Sequence, residues 1–152
     1  MNWWIGFLIY FFGWAIAYSK IEIAIEGAFG FGEKLPCKKW KPRGILNKIL
    51  GERPYFSEYH LWMIIFLFLT FHFPLWFTSW ELWRLELFLV GTFFIFLIAE
   101  DFFWFALNPN YGLKKFKPEF VWWHPKWIWK LPDIYYYLLP LGMALICLSQ
   151  VI

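Results

Sequence analysis

The chain is poor in charge, in histidine and in cysteine, and each scarcity closes off a class of protein. Only 16% of its 152 residues are charged. Its long apolar runs carry no charged face at a 3.6-residue period, so a soluble helical bundle with an aromatic core is excluded. The two cysteines, Cys37 in a loop and Cys147 in the last apolar run, imply no disulfide framework. Three histidines, His60, His72 and His124, are too few for the histidine-rich boxes of membrane desaturases and hydroxylases. The Glu-x-x-His spacing of di-iron bundles is absent. There is no Gly-rich phosphate loop, nucleophile-elbow serine or Cys-x-x-Cys, so no nucleotide is expected. Internal repeats and low-complexity tracts are missing too. Met1-Asn2-Trp3-Trp4 lacks the basic n-region of a secretory signal, no small-x-small cleavage site follows, and no lipidation motif occurs. The first apolar run is therefore expected to stay in the membrane.

What remains is apolar and aromatic. Hydrophobic residues make up 61% and aromatics 27%, with 13 Trp and 20 Phe, against roughly 45–50% apolar in a soluble domain. Runs long enough to cross about 30 Å of hydrocarbon recur along the chain. The expected fold is an all-α, polytopic membrane protein, a single transmembrane domain over 1–152 with spans at about 3–25, 59–77, 85–107 and 134–152. Pro74 should kink or end the outer turn of span two. The short link 78–86 makes spans two and three an antiparallel hairpin. Pro140 and Gly142 interrupt the fourth span.

Charge sets the orientation. Of 14 Lys and Arg, Lys34, Lys38, Lys39, Lys41, Arg43, Lys48 and Arg53 lie in the first long loop, and Lys114, Lys115, Lys117, Lys126 and Lys130 in the second. Lys20 is at the same end of span one, and Arg84 alone is opposite. The positive-inside rule then makes both long loops cytoplasmic and both termini external, in a multi-pass cell-membrane protein. Trp122, Trp123, Trp127 and Trp129 interleave with lysines, as in an interfacial segment on the headgroups. The expected partners are membrane lipids, with anionic headgroups at the basic loops. No nucleic-acid motif accompanies the basic residues.

Acids inside such runs need partners. Glu100 and Asp101 sit in the apolar stretch from Leu87 to Leu107. Counting from outer tryptophans, Trp4 to Glu22 is roughly 27 Å of helix, Trp83 to Glu100 roughly 25 Å, and Trp80 to His60 about 30 Å. Glu22, His60 and Glu100 thus share one plane at the cytoplasmic boundary. Glu22 and Glu26, at i and i+4, share a helix face. Glu100 and Asp101 differ by about 100° around their helix, so only one is expected to face the bundle fully. His124 can fold back over the site from the second loop.

This carboxylate–imidazole mixture suits Fe, Mn or Zn. The candidate ligands are Glu22, Glu26, His60, Glu100 and His124, with Asp101 or Asn108 orienting them. A metal-free alternative pairs Glu22 or Glu26 with Lys20 or Lys34, and lets Glu100 accept from His60 or indoles. His72, about 18 Å from His60 along the helix, suits a bond to a backbone carbonyl near Pro74. A bis-histidine haem would need a second histidine at matching depth, so haem is not expected. The phenylalanines line either an apolar groove for a lipid or isoprenoid chain, or simply the lipid-facing surface. Three functions fit: a metal-dependent enzyme acting on a lipid or isoprenoid, a proton- or ion-linked transport component, or a structural assembly protein. Transport would require a homo-oligomer to build a pore.

Overall fold

The computed structural model describes residues 2–49, 52–78 and 81–151. Trp80, one of the three depth markers, lies outside them. Four helices are long and apolar enough to cross a membrane, and the chain is a small multi-pass membrane protein. They are α1 (Trp3–Glu26), α3 (Glu58–His72, continued by a 3-10 turn over Phe73–Trp76), α4 (Leu82–Leu107) and α5 (Asp133–Val151). A short α2 (Gly44–Ile49) lies in the first loop. Their outward faces are apolar: Ile9, Tyr10, Trp62 and Leu69 are each more than 60% exposed, an arrangement that only lipid solvates well.

Local chemistry sets the ends. The Asn2 side chain accepts from Trp4 N and caps α1, and Gly27 at φ 65° ends it. Ser57 caps α3. The α-helical part of span two stops at His72 because Pro74 has no N–H to continue it, and the chain tightens into the 3-10 turn. Pro140 does not interrupt the fourth span, contrary to expectation; α5 runs through it unbroken. Gly142 serves close packing instead: a Cβ there would lie 2.7 Å from the Gly91 carbonyl oxygen of α4, and one on Gly91 the same distance from the Gly142 carbonyl.

Helix α4 is the axis of the bundle, packed against α1, α3 and α5. Three layers of buried side chains stack along it. Leu85, Phe88 and Leu89 form the layer at the terminal end. A ring-filled middle holds Phe11, Leu67, Phe71, Phe93 and Phe96. At the basic-loop end, Ile23, Phe31, Phe56, Trp104, Phe105, Val121 and Trp123 pack together. This last layer depends on the loops, which fold inward rather than lie flat. Trp123 is 3% exposed and stacks on Phe105, and only Trp129 of the four loop tryptophans stands fully outward at 83%. Leu113, Phe120 and Ile128 of the same loop are also exposed. The loops also carry two short antiparallel ladders that the all-α expectation lacks. β1 (Lys39–Trp40) pairs with β2 (Phe56–Ser57), Lys39 opposite Ser57, and β3 (Trp127–Ile128) pairs with β4 (Leu131–Pro132).

Candidate functional site

At the basic-loop end the four helices splay around a cavity of about 210 Å³. Part of its lining is apolar, with Met63, Ile64, Leu67, Leu97 and Leu138. The lining also collects Glu22 and Glu26 from α1, His60 from α3, Glu100 and Asp101 from α4, Asp133 and Tyr135 from α5, and Arg53 and His124 from the loops. The shared plane inferred from helix lengths is therefore a shared cavity for Glu22, His60 and Glu100.

Glu22 and Glu26 enter from one face of α1, as their spacing requires. Neither pairs with Lys20 or Lys34 among the described residues. Glu22 Oε1 accepts from the Tyr59 hydroxyl at 3.3 Å, and its carboxyl meets that of Glu100 across the α1–α4 interface. At the same level Ser19 Oγ lies 2.7 Å from the Ala15 carbonyl and 2.9 Å from that of Glu100, locking the two backbones together. Glu26 Oε1 lies 3.5 Å from His60 Nε2. His60 Nδ1 is 2.6 Å from Ser57 Oγ, the α3 cap, so that nitrogen is engaged, while the Nε2 contact with Glu26 falls short of ordinary hydrogen-bond geometry.

Glu100 and Asp101 both line the cavity, Glu100 buried and Asp101 with its side chain 24% exposed, so only Glu100 faces the bundle fully. The cavity wraps far enough around α4 to receive side chains 100° apart: Glu100 points toward α1, Asp101 toward α5 and the second loop. Asp101 Oδ1 is 3.2 Å from His124 Nε2, and Asp101 Oδ2 accepts from the Tyr135 hydroxyl at 2.5 Å. His124 is 5% exposed, and its carbonyl accepts from Trp127 Nε1 at 2.7 Å. It does fold back over the site. Asn108, expected to orient ligands, is not in the cavity. Fully buried, it bridges helix ends, with Nδ2 donating to the Gly27 carbonyl and Oδ1 accepting from Asn110 N.

Arg53 escaped the sequence reading, which counted it among topological cations. Its guanidinium stands 4.7 Å over the Phe31 ring and faces Asp101, then Tyr135, Glu22 and Glu100. Burial pushes its ionisation down, and these groups, Asp101 first, push it back. The available signal was position: Arg53 lies just before the Ser57 cap, at the boundary depth of His60. Tyr135, two residues into α5, was legible in the same way.

The cavity therefore holds two groups. Asp101, Arg53, His124 and Tyr135 satisfy one another. Glu22, Glu26 and Glu100 form a carboxyl cluster that makes no ion pair with an arginine or lysine among the described residues, although Arg53 also acts on Glu22 and Glu100 electrostatically. Its polar atoms are incompletely used: Glu26 Oε1, Glu100 Oε1 and Trp104 Nε1 make no hydrogen bond of ordinary geometry, although the Trp104 indole lies beside the Glu26 carboxyl. The expected metal set does not converge. Among the described residues no three His, Cys, Asp or Glu side chains are grouped to hold a metal ion, and His124 belongs with Asp101 rather than with His60.

A second cavity of about 330 Å³ lies toward the termini, lined by Trp3, Phe7, Phe11, Trp14, Phe71, Phe88 and Thr92 among others. The middle ring layer separates the two. Phe71 and Phe96, 5.1 Å apart by centroid, and Phe11 and Phe96, 5.9 Å apart, meet edge to face there without an ionisable group between them. His72 sits beyond that layer, with Nδ1 2.7 Å from the Phe68 carbonyl, the backbone partner expected of it, and Nε2 3.1 Å from Glu86 Oε1. Comparisons with protein-family models, with curated proteins and with solved structures each return no match, so the functional reading rests on the geometry of this site.

Proposed function

We propose that the protein is a membrane-embedded enzyme acting on the polar end of an amphiphile, a lipid or isoprenoid, at the cytoplasmic membrane boundary. The observation that carries this is that one cavity is lined both by apolar Met63, Ile64, Leu67, Leu97 and Leu138 and by carboxyls, imidazoles and Arg53, with Met63, Leu97 and Leu138 each about one helical turn further from the basic loops than His60, Glu100 and Tyr135 on the same helices. An amphiphile has the same two parts. Its chain lies against the apolar side chains, while its head meets the acids. Facing carboxyls on α1 and α4 call for a positive counterpart, which can be a transferred proton, a divalent ion or a cationic head. In this reading Glu22 and Glu100 carry general acid–base work, His60 is held ready by Ser57 and Glu26, and Asp101 orients His124. The continuous ring layer above the cavity speaks against conduction through one protomer. By the positive-inside rule both basic loops are cytoplasmic, so substrate enters from the inner leaflet.

Native mass spectrometry of protein extracted from membranes tests both the amphiphile and a metal in one measurement. The expected result is a lipid-sized adduct retained by the wild type and lost when Met63→Trp fills the apolar part of the cavity. A mass increment of one or two divalent ions, lost in Glu22→Gln, would identify the counterpart as a metal. Wild-type protein that keeps neither adduct, even when supplied with lipid extract, would remove the reading.

A further inference from the structure

The carboxyl cluster also specifies the head that enters it. We propose, building on the amphiphile reading, that the cavity recognises a primary ammonium group at the end of an apolar chain. Three observations carry this. First, the acids outnumber the cations: Glu22, Glu26, Glu100 and Asp101 line the pocket with a single arginine, Arg53, so an anionic head would add negative charge to an already acidic site. Second, two of the three unused polar atoms in the pocket are acceptors. Glu26 Oε1 and Glu100 Oε1 come from two different helices, line the cavity and belong to residues 7% and 9% exposed, yet neither accepts a hydrogen bond. A buried acceptor without a donor is destabilising, and a head with several N–H groups supplies donors to both at once. Third, Trp104 and Trp123 also line the pocket and add aromatic surface beside the acids, while the Phe31 ring is already faced by His60 and by the Arg53 guanidinium.

The alternatives fit less well. A quaternary ammonium has charge but no N–H, so it would leave both acceptors unsatisfied. A divalent ion would need three or more converging donors. Here His60 is occupied on Nδ1 by Ser57 and faces Glu26 with Nε2, while His124 Nε2 is taken by Asp101.

The test is binding of dodecylammonium to the full-length protein in nanodiscs, by calorimetry, against dodecyltrimethylammonium, dodecanol and dodecyl sulfate. The expected order is dodecylammonium first by at least tenfold, with that preference lost in Glu26→Gln and Glu100→Gln. Thermal unfolding of both variants should be unchanged or raised, because each removes a charge from a crowded acidic cluster, and this separates lost recognition from lost fold. All four probes binding alike, with binding abolished by Met63→Trp, would overturn the ammonium head while keeping the amphiphile. Amphiphile binding that is indifferent to Met63→Trp would overturn both. Tight, stoichiometric displacement of dodecylammonium by Mn²⁺ or Zn²⁺ alone, lost in the same Glu→Gln variants, would overturn it in favour of a metal.

Discussion

The two ends of the bundle are built from the same four helices and the same aromatic vocabulary, yet one buries its ionisable groups and the other sheds them. At the terminal end two of the helices are joined by a short link, and the ionisable residues His72, Arg84 and Glu86 are only partly buried. Arg84 Nε donates to the Ser149 carbonyl, and His72 meets a Glu86 side chain that is 36% exposed. At the basic-loop end, the first loop contributes Phe31, Arg53 and Phe56, and the second contributes Val121, Trp123 and His124. These cover the helix ends and supply counter-charges that no helix carries. An acid at the end of a membrane helix is costly without a partner. Long loops therefore decide where this chain can afford a polar cavity.

The sharpest way to break the contrast is to remove the group that joins loop to helix at the buried end. Asp101→Ala takes away the partner of His124, Tyr135 and Arg53 together. Losing one member of a buried ionic network costs about 3–5 kcal/mol, and the lower end applies because the Asp101 side chain is 24% exposed. Chemical unfolding in detergent should show this loss. The double variant Asp101→Leu/Arg53→Met should recover much of it, since apolar groups of similar volume replace the whole pair. If the double variant is as unstable as the single one, shape rather than charge holds that end together.

Legibility followed the same division. Four spans, the Pro74 stop and the common depth of Glu22, His60 and Glu100 were readable because each rests on a property of one helix: its length, its proline, its 1.5 Å rise. What escaped depends on contacts between distant segments. Arg53 looked like one more loop cation until the loop turned it inward, and Asn108 looked like a donor to the cluster until the α1 end claimed its amide. Trp123 reads as an interfacial anchor, but Gly30 leaves room for it: a Cβ on Gly30 would collide with the Trp123 indole. Pro140 and Gly142 suggest a broken helix, whereas Gly142 matches Gly91 across an interface that no local pattern announces.

That glycine pair gives the next effect in size. Gly91→Val or Gly142→Val puts a side chain where a Cβ alone would come within 2.7 Å of the facing carbonyl oxygen, so α4 and α5 must separate. Overpacking of this kind costs about 1–3 kcal/mol. Moving α5 also carries Tyr135 away from Asp101, so both variants should weaken the buried network as well as the helix contact. A thermal-shift series in which Gly91→Val and Asp101→Ala are less than additive would show that the α4–α5 contact and the polar cavity are coupled.

The smallest effect belongs to the exposed end. Glu86→Gln neutralises the acid facing His72 Nε2 at 3.1 Å, while His72 keeps its 2.7 Å bond from Nδ1 to the Phe68 carbonyl. A partly exposed pair contributes about 0–1 kcal/mol, and the glutamine amide can still meet the imidazole. Unfolding midpoints of Glu86→Gln should therefore coincide with wild type to within a few tenths of a kcal/mol, an order of magnitude below Asp101→Ala. Amphiphile binding should also be unchanged, because the middle ring layer separates His72 from the acids. A cost for Glu86→Gln as large as that for Asp101→Ala would mean that the terminal end holds a buried polar network as well. The loops would then not be what makes the opposite end the place for chemistry.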